Sequence, residues 1–278
     1  MHLPTTAFIL CGIFLVGGVP PASAAAWPQF SLGLGAEYAS GDFGTDSTSS
    51  YTTIPLVLNW YPSERINMEL TVPFINQSTS NTGYAATGGG IPAAQYSGGG
   101  WGVNQSGKHV VVTGSEDQSG LGDITLETSY NLLLDGDGLP EFGLIGYLKF
   151  PTADADQGLG TGAFDWGAGL HLAKWLGDWQ PFVEGRYVFQ GASRAQNGAR
   201  DYFLADAGLG YGWNEDLYFA GFSRVGTASF DGMEAPLEMR LKTAWGFRED
   251  TSVEFYLLKG LSGGSPDLGG GLSFFVSF

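Results

Sequence analysis

Cysteine, histidine and basic charge are scarce in this 278-residue chain: one Cys, three His, and 12 Lys and Arg against 28 Asp and Glu. The lone cysteine, Cys11, follows Leu10 rather than the small residue that lipid attachment requires, so the expectation is loss with the N-terminal segment. What remains then has no disulfide and no thiolate chemistry. His109 and His171 are too few for a metal site of histidines. Asp135-Gly136-Asp137-Gly138 lacks the third acidic position and the closing Glu of a calcium loop, and reads as a hairpin turn. Gly158-Leu159-Gly160-Thr161-Gly162 has neither the spacing nor the following helix of a nucleotide fingerprint. No metal and no cofactor is expected. A net charge of −16 opposes nucleic acid, whose phosphates it would repel. Also missing, beyond the N-terminal segment, is any run of the roughly 18 apolar residues that a membrane helix needs.

Yet 43% of the residues are hydrophobic, 14% are aromatic and only 14% are charged, which is little charge for a water-exposed surface. The apolar residues are spread thinly, on every second position. At the C-terminus Leu272, Phe274, Val276 and Phe278 alternate with Gly271, Ser273, Phe275 and Ser277. In a soluble sandwich such a strand is an aggregation-prone edge; in a closed barrel it pairs with the first strand and turns its apolar face to lipid. Phe274, Val276 and Phe278 also read as a C-terminal signal for the outer-membrane assembly machinery. At the other end Phe8–Val19 is apolar but too short to span a bilayer, and small residues follow up to Ala26. That pattern fits a secretory signal over 1–24, cleaved after Ala24 or Ala26, although its first residues carry no Lys or Arg. Residues 25–278 are then one barrel domain in the bacterial outer membrane.

Short polar turns recur at Pro62–Arg65, Asp135–Gly138, Gly177–Asp178, Asn214–Asp216 and Arg248–Asp250. Trp60, Trp175, Trp179, Trp213 and Trp245 lie beside them, as expected of indoles at a headgroup layer. Longer Gly-, Ser- and Asp-rich segments alternate with these turns, the asymmetry of outer-membrane barrels. The spacing predicts an all-β, transmembrane, antiparallel up-and-down barrel of about 12 strands, with both termini periplasmic. The strands fall at 27–39, 51–61, 66–75, 120–133, 140–150, 163–175, 180–189, 201–213, 217–225, 236–247, 251–261 and 267–278. In the ninth, Tyr218-Phe219-Ala220-Gly221-Phe222 reads in either parity, so ten strands stay open as an alternative.

With apolar side chains facing lipid, the opposite parity lines the lumen. It carries Glu37, Glu69, Asp123, Glu127, Glu141, Asp165, Glu184, Asp206, Glu238 and Glu254, answered by Lys149, Arg186, Arg240 and Lys242, with His171 the one imidazole. A Lys or Arg facing lipid at mid-depth would cost roughly 2–4 kcal/mol, which enforces this parity. The excess of acid is read around Glu37, Glu69, Asp123 and Glu127. Gly33, Gly35, Gly167, Gly169, Gly208, Gly210, Gly269 and Gly271 share the inward parity and are read as leaving space. Two readings stand: a narrow conduit with an acidic lining, or a filled interior cross-linked by ion pairs. Asp42, Asp46, Asp154 and Asp156 read as ordinary solvated loop residues. The long segment Asn76–Ser119 reads as a constriction folded into the mouth, an external flap, or an extension of the fourth strand through Lys108–Thr113.

Three segments, in order, carry a family resemblance: Ser119-Gly120-Leu121-Gly122-Asp123-Ile124-Thr125-Leu126; Leu148-Lys149-Phe150-Pro151-Thr152 with Gly160-Thr161-Gly162; and Gly260-Leu261-Ser262-Gly263-Gly264-Ser265-Pro266-Asp267. Over 119–278 the chain resembles the "MetA-pathway of phenol degradation" family of outer-membrane proteins. The resemblance implies an outer-membrane barrel associated with uptake of small, aromatic compounds, and supplies no binding residues. Passive passage of small solutes is therefore the leading expectation, a structural or adhesive barrel the alternative. A lipid hydrolase would need a Ser–His pair facing lipid, but His171 lies between Leu170 and Leu172 and points inward. No enzyme activity is expected. The expected partners are membrane lipid and lipopolysaccharide, the assembly machinery and a small solute.

Overall fold

The computed structural model describes residues 29–43, 48–79, 83–87, 108–112, 116–136, 138–155, 159–191 and 199–278. The expected secretory segment, most of the loop 76–119, Asp46, Asp156 and the side chain of His109 lie outside the described residues. Alternation of apolar and polar residues becomes strand throughout: β1 (Phe30–Gly41), β2 (Ser49–Ser63), β3 (Ile66–Thr79), β4 (Gly83–Thr87), β5 (Lys108–Val112), β6 (Glu116–Leu121), β7 (Ile124–Leu133) and β8 (Glu141–Phe150). There follow β9 (Asp165–Ala173), β10 (Trp179–Phe189), β11 (Tyr202–Gly212), β12 (Leu217–Gly226), β13 (Leu237–Arg248), β14 (Thr251–Gly260) and β15 (Leu268–Ser277).

From β7 onward each strand pairs antiparallel with the next, β2 bridges β1 and β3, and β15 returns to β1. β6 and β7 both pair with β3 and form one stave, interrupted at Gly122-Asp123, where the Gly122 N–H donates to the Pro73 carbonyl at 2.8 Å. The result is a closed antiparallel barrel of twelve staves. Closure satisfies the edges that an open sheet would leave unpaired. The seam is in register, with Leu32 opposite Val276 and Leu34 opposite Phe274, and Phe30 and Phe278 exchange both backbone hydrogen bonds at 3.1 and 2.9 Å. Lys108–Val112 does not extend the fourth stave: it is β5, which pairs only with β4 as a separate two-stranded sheet.

Leu32, Leu34, Leu241, Leu257, Leu272 and Phe274 are exposed on the outer surface, while the alternate positions of the same strands are buried. A barrel apolar outside and polar inside is built for lipid. Four of the five tryptophans beside the short turns, Trp60, Trp179, Trp213 and Trp245, are exposed as a girdle requires. Trp175 is not one of them: it packs inward, edge-on to Tyr218 at 6.1 Å. The ninth stave, β12, takes one parity, with Tyr218, Ala220, Phe222 and Arg224 inside and Phe219 and Val225 outside.

Candidate functional site

The ten acidic side chains assigned to the interior by alternation, Glu37, Glu69, Asp123, Glu127, Glu141, Asp165, Glu184, Asp206, Glu238 and Glu254, are all buried there. Facing them are Lys149, Arg186, Arg224 and Arg240, also buried, and Lys242. Arg224 is the interior cation that alternation missed, because the aromatic run before it fits either parity. The following Ser223-Arg224-Val225 resolves the ambiguity, since a guanidinium facing lipid would be the costlier choice.

Strand register brings these charges together in pairs. Arg224 lies directly opposite Asp206 and forks onto it, with Nε 2.9 Å from Oδ1 and Nη2 2.8 Å from Oδ2. Arg186 bridges two carboxylates, at 2.6 Å to Glu127 and 2.9 Å to Glu184, and its guanidinium lies 5.7 Å from the centre of the Tyr147 ring. Arg240 holds Glu238 at 2.6 Å, two residues away on the same strand face, and Lys242 holds Glu254 at 2.9 Å. His171 is 2.9 Å from the Asn131 side-chain oxygen and 3.5 Å from Glu141, so its polar contacts lie inside the barrel rather than in lipid.

Asp123 and Glu127, read from the sequence as unpaired excess, are both in ion pairs. Lys149 lies 3.4 Å from Asp123 and 2.7 Å from Asp165. Glu37 and Glu69 make no ion pair among the described residues, and Glu141 meets only the imidazole of His171; Arg240 and Lys242 act on Glu37, and Lys242 on Glu69, through space. Glu69 lies opposite Glu127 in the β3–β7 register, so two carboxyl groups face each other on this wall, only one of them with an ion-pair partner.

The inward glycines do not leave space. A Cβ added to Gly33 would meet the Phe275 ring at 2.2 Å, one on Gly210 the Tyr218 hydroxyl at 1.9 Å, and one on Gly271 the Tyr256 ring at 2.6 Å. At these three an aromatic side chain of a neighbouring strand lies across the glycine, while Gly35, Gly167, Gly169 and Gly269 are closed by Ser273, Val188, Arg186 and Leu258 or by neighbouring backbone. One sector of the interior is correspondingly aromatic: Phe182 meets Phe222 edge-on at 5.9 Å, and Tyr218 donates to Gln180 at 2.9 Å. β1, β3 and β7, with Glu37, Glu69 and Glu127, form the acidic sector.

A family model described as "Putative MetA-pathway of phenol degradation" matches residues 41–278, so the likeness extends well before the three motifs that carry it in the sequence. No curated protein matches the chain. Among solved structures, the transport unit of the autotransporter AIDA-I from Escherichia coli is 7% identical, with 94% of this chain and 93% of that one covered at a TM-score of 0.50. The KdgM porin is 8% identical, with 89% and 99% covered at 0.49. The toluene transporter TbuX from Ralstonia pickettii is 10% identical, with 91% and 90% covered at 0.48. At such identities the likeness concerns the barrel fold alone.

Proposed function

The chain belongs to the phenol-degradation family of that description, and on this premise we propose that it is an outer-membrane barrel through which small solutes, aromatic compounds among them, pass by diffusion. The observation that carries the reading is the interior. Among the described residues a lipid-facing shell encloses ten carboxylates, five lysine and arginine cations and an aromatic sector, a lining that can meet a polar, ring-bearing solute. The same lining suits a solute with an aromatic ring and a polar or cationic end. Excess negative charge in a narrow, low-dielectric passage raises the local concentration of cations and repels anions.

One observation favours a second reading. The close fit of rings over glycines and the paired charges also describe a filled, structural barrel. Refolded protein in planar bilayers separates the two. A conduit gives discrete conductance steps with a cation-selective reversal potential in a salt gradient; a folded but silent barrel assigns the protein the structural role. Anion selectivity would remove the acidic lining from the account.

A further inference from the structure

Three loop segments converge on one buried lysine at the long-loop end. Lys149, wholly buried near the end of β8, contacts Asp123 at the β6–β7 break, Asp165 at the start of β9 and the Thr161 hydroxyl. Asp123 also accepts the backbone N–H groups of Ala153 and Thr161, each at 3.1 Å, and Asp165 accepts that of Gly191 at 2.9 Å. The arm 159–164 is thereby drawn to the inner side of the wall: Leu159 and Thr161 are buried, and a Cβ on Gly160 would meet the Asp123 carboxylate at 2.6 Å. Two of the motifs that carry the family resemblance, Gly122-Asp123 and Lys149 with Gly160-Thr161-Gly162, thus meet in one cluster.

We propose that Asp123, Lys149 and Asp165 form an electrostatic latch that holds the arm 159–164 over the interior, and that release of the latch opens the passage. The gating half rests on the passage reading above; the latch itself does not. Two carboxylates around one ammonium leave the cluster at a net charge of −1. Removing the ammonium leaves two buried, mutually repelling carboxylates, and the arm that hangs on them is expelled toward water, where both are solvated. In the closed state the Asp123 carboxylate faces Lys149 and accepts the two loop amides at once.

The test uses the full-length protein in liposomes with Cys11→Ser and Leu159→Cys, the new thiol reporting the arm to a membrane-impermeant maleimide. Lys149→Met should raise the labelling rate at least ~10-fold over the parent. Lys149→Met/Asp165→Asn restores the net charge of −1 and lets the amide donate to Asp123, so labelling should return toward the parent rate. Single-channel conductance should follow the same order, and heat-modifiable mobility verifies that each barrel is folded. Equal labelling in all three proteins overturns the latch. Fast labelling in both variants overturns its electrostatic basis, since lost packing alone would then explain release. Labelling that changes while a conducting parent keeps its conductance overturns the gate. No conductance from any folded variant overturns the passage reading, with labelling still deciding the latch.

Discussion

Arg224 and Asp206 show how a charge is held inside this barrel. The guanidinium is buried, lies opposite its partner in register and donates two near-parallel hydrogen bonds, so little of the pair's field is left unanswered. Such a pair is stabilising only relative to a broken one. Arg224→Met leaves Asp206 buried beside a thioether and should destabilise the barrel by about 3–5 kcal/mol. Arg224→Met with Asp206→Leu removes both charges and should recover most of that loss. Urea unfolding midpoints followed by tryptophan fluorescence measure both; equal destabilisation by the single and double variants would assign the effect to packing. Arg186 is placed differently, because it serves two carboxylates and lies against Tyr147.

At the scale of elements, the closing seam between β1 and β15 depends on residues at the very end of the chain. Phe278 stacks on Phe30 with centroids 6.0 Å apart and exchanges two backbone hydrogen bonds with it. We propose that Phe274, Val276 and Phe278 also serve as the recognition signal for assembly. Deleting Phe278 removes both the ring and the bonds, whereas Phe278→Ala keeps the bonds. The deletion should lower the heat-modifiable form both in cells and in detergent refolding, and the alanine variant should fail mainly in cells. Parental levels of the deletion in cells would remove the signal role. The short turns work through local chemistry of the same kind: Asp135 receives Lys174 at 2.5 Å and the Trp175 N–H at 2.9 Å, which ties the turn after β7 to the turn after β9. This tie accompanies the inward placement of Trp175, away from the girdle.

Across the whole molecule, the charge balance of the interior predicts selectivity. Among the described residues ten carboxylates face Lys149, Arg186, Arg224, Arg240 and Lys242, an excess of five negative charges when all are ionised, and those with no lysine or arginine partner are Glu37, Glu69 and Glu141. Glu37→Gln/Glu69→Gln should shift the reversal potential toward zero, most visibly at low salt, where screening is weakest. Arg224→Met/Asp206→Leu removes one charge of each sign and should leave the reversal potential where it was. If the glutamine variant leaves cation preference intact, the selective field arises elsewhere, with the acidic loops as the alternative source.

Strand positions, parity and closure were legible in the alternation because lipid admits one answer: Glu238, Arg240 and Lys242 cannot share a face with Leu237, Met239 and Leu241. The interior acids followed from the same rule. Alternation does not decide a segment that is apolar on both faces. Tyr218 to Phe222 is apolar on both faces, which hid Arg224, and Trp175 beside a turn could not be told from its neighbours, because an indole is at home in a headgroup layer and against a buried ring alike. Pairing depends on which strands meet and in what register, information that is non-local by nature. Hence Asp123 and Glu127 read as excess until Lys149 and Arg186 were placed against them. The glycines depended on the fold in the same way, since an absent side chain leaves room only until a neighbouring strand packs against it, as Phe275 does at Gly33 and Leu258 at Gly269. By itself the sequence determined an antiparallel barrel of ten or twelve strands, its lipid face and its acidic interior, because these follow from the period of two and the cost of charge in lipid; the pairing fixed the number at twelve. Only the tertiary structure decided which charges are answered and how the 159–164 arm is held, because both depend on distances between strands far apart in the chain.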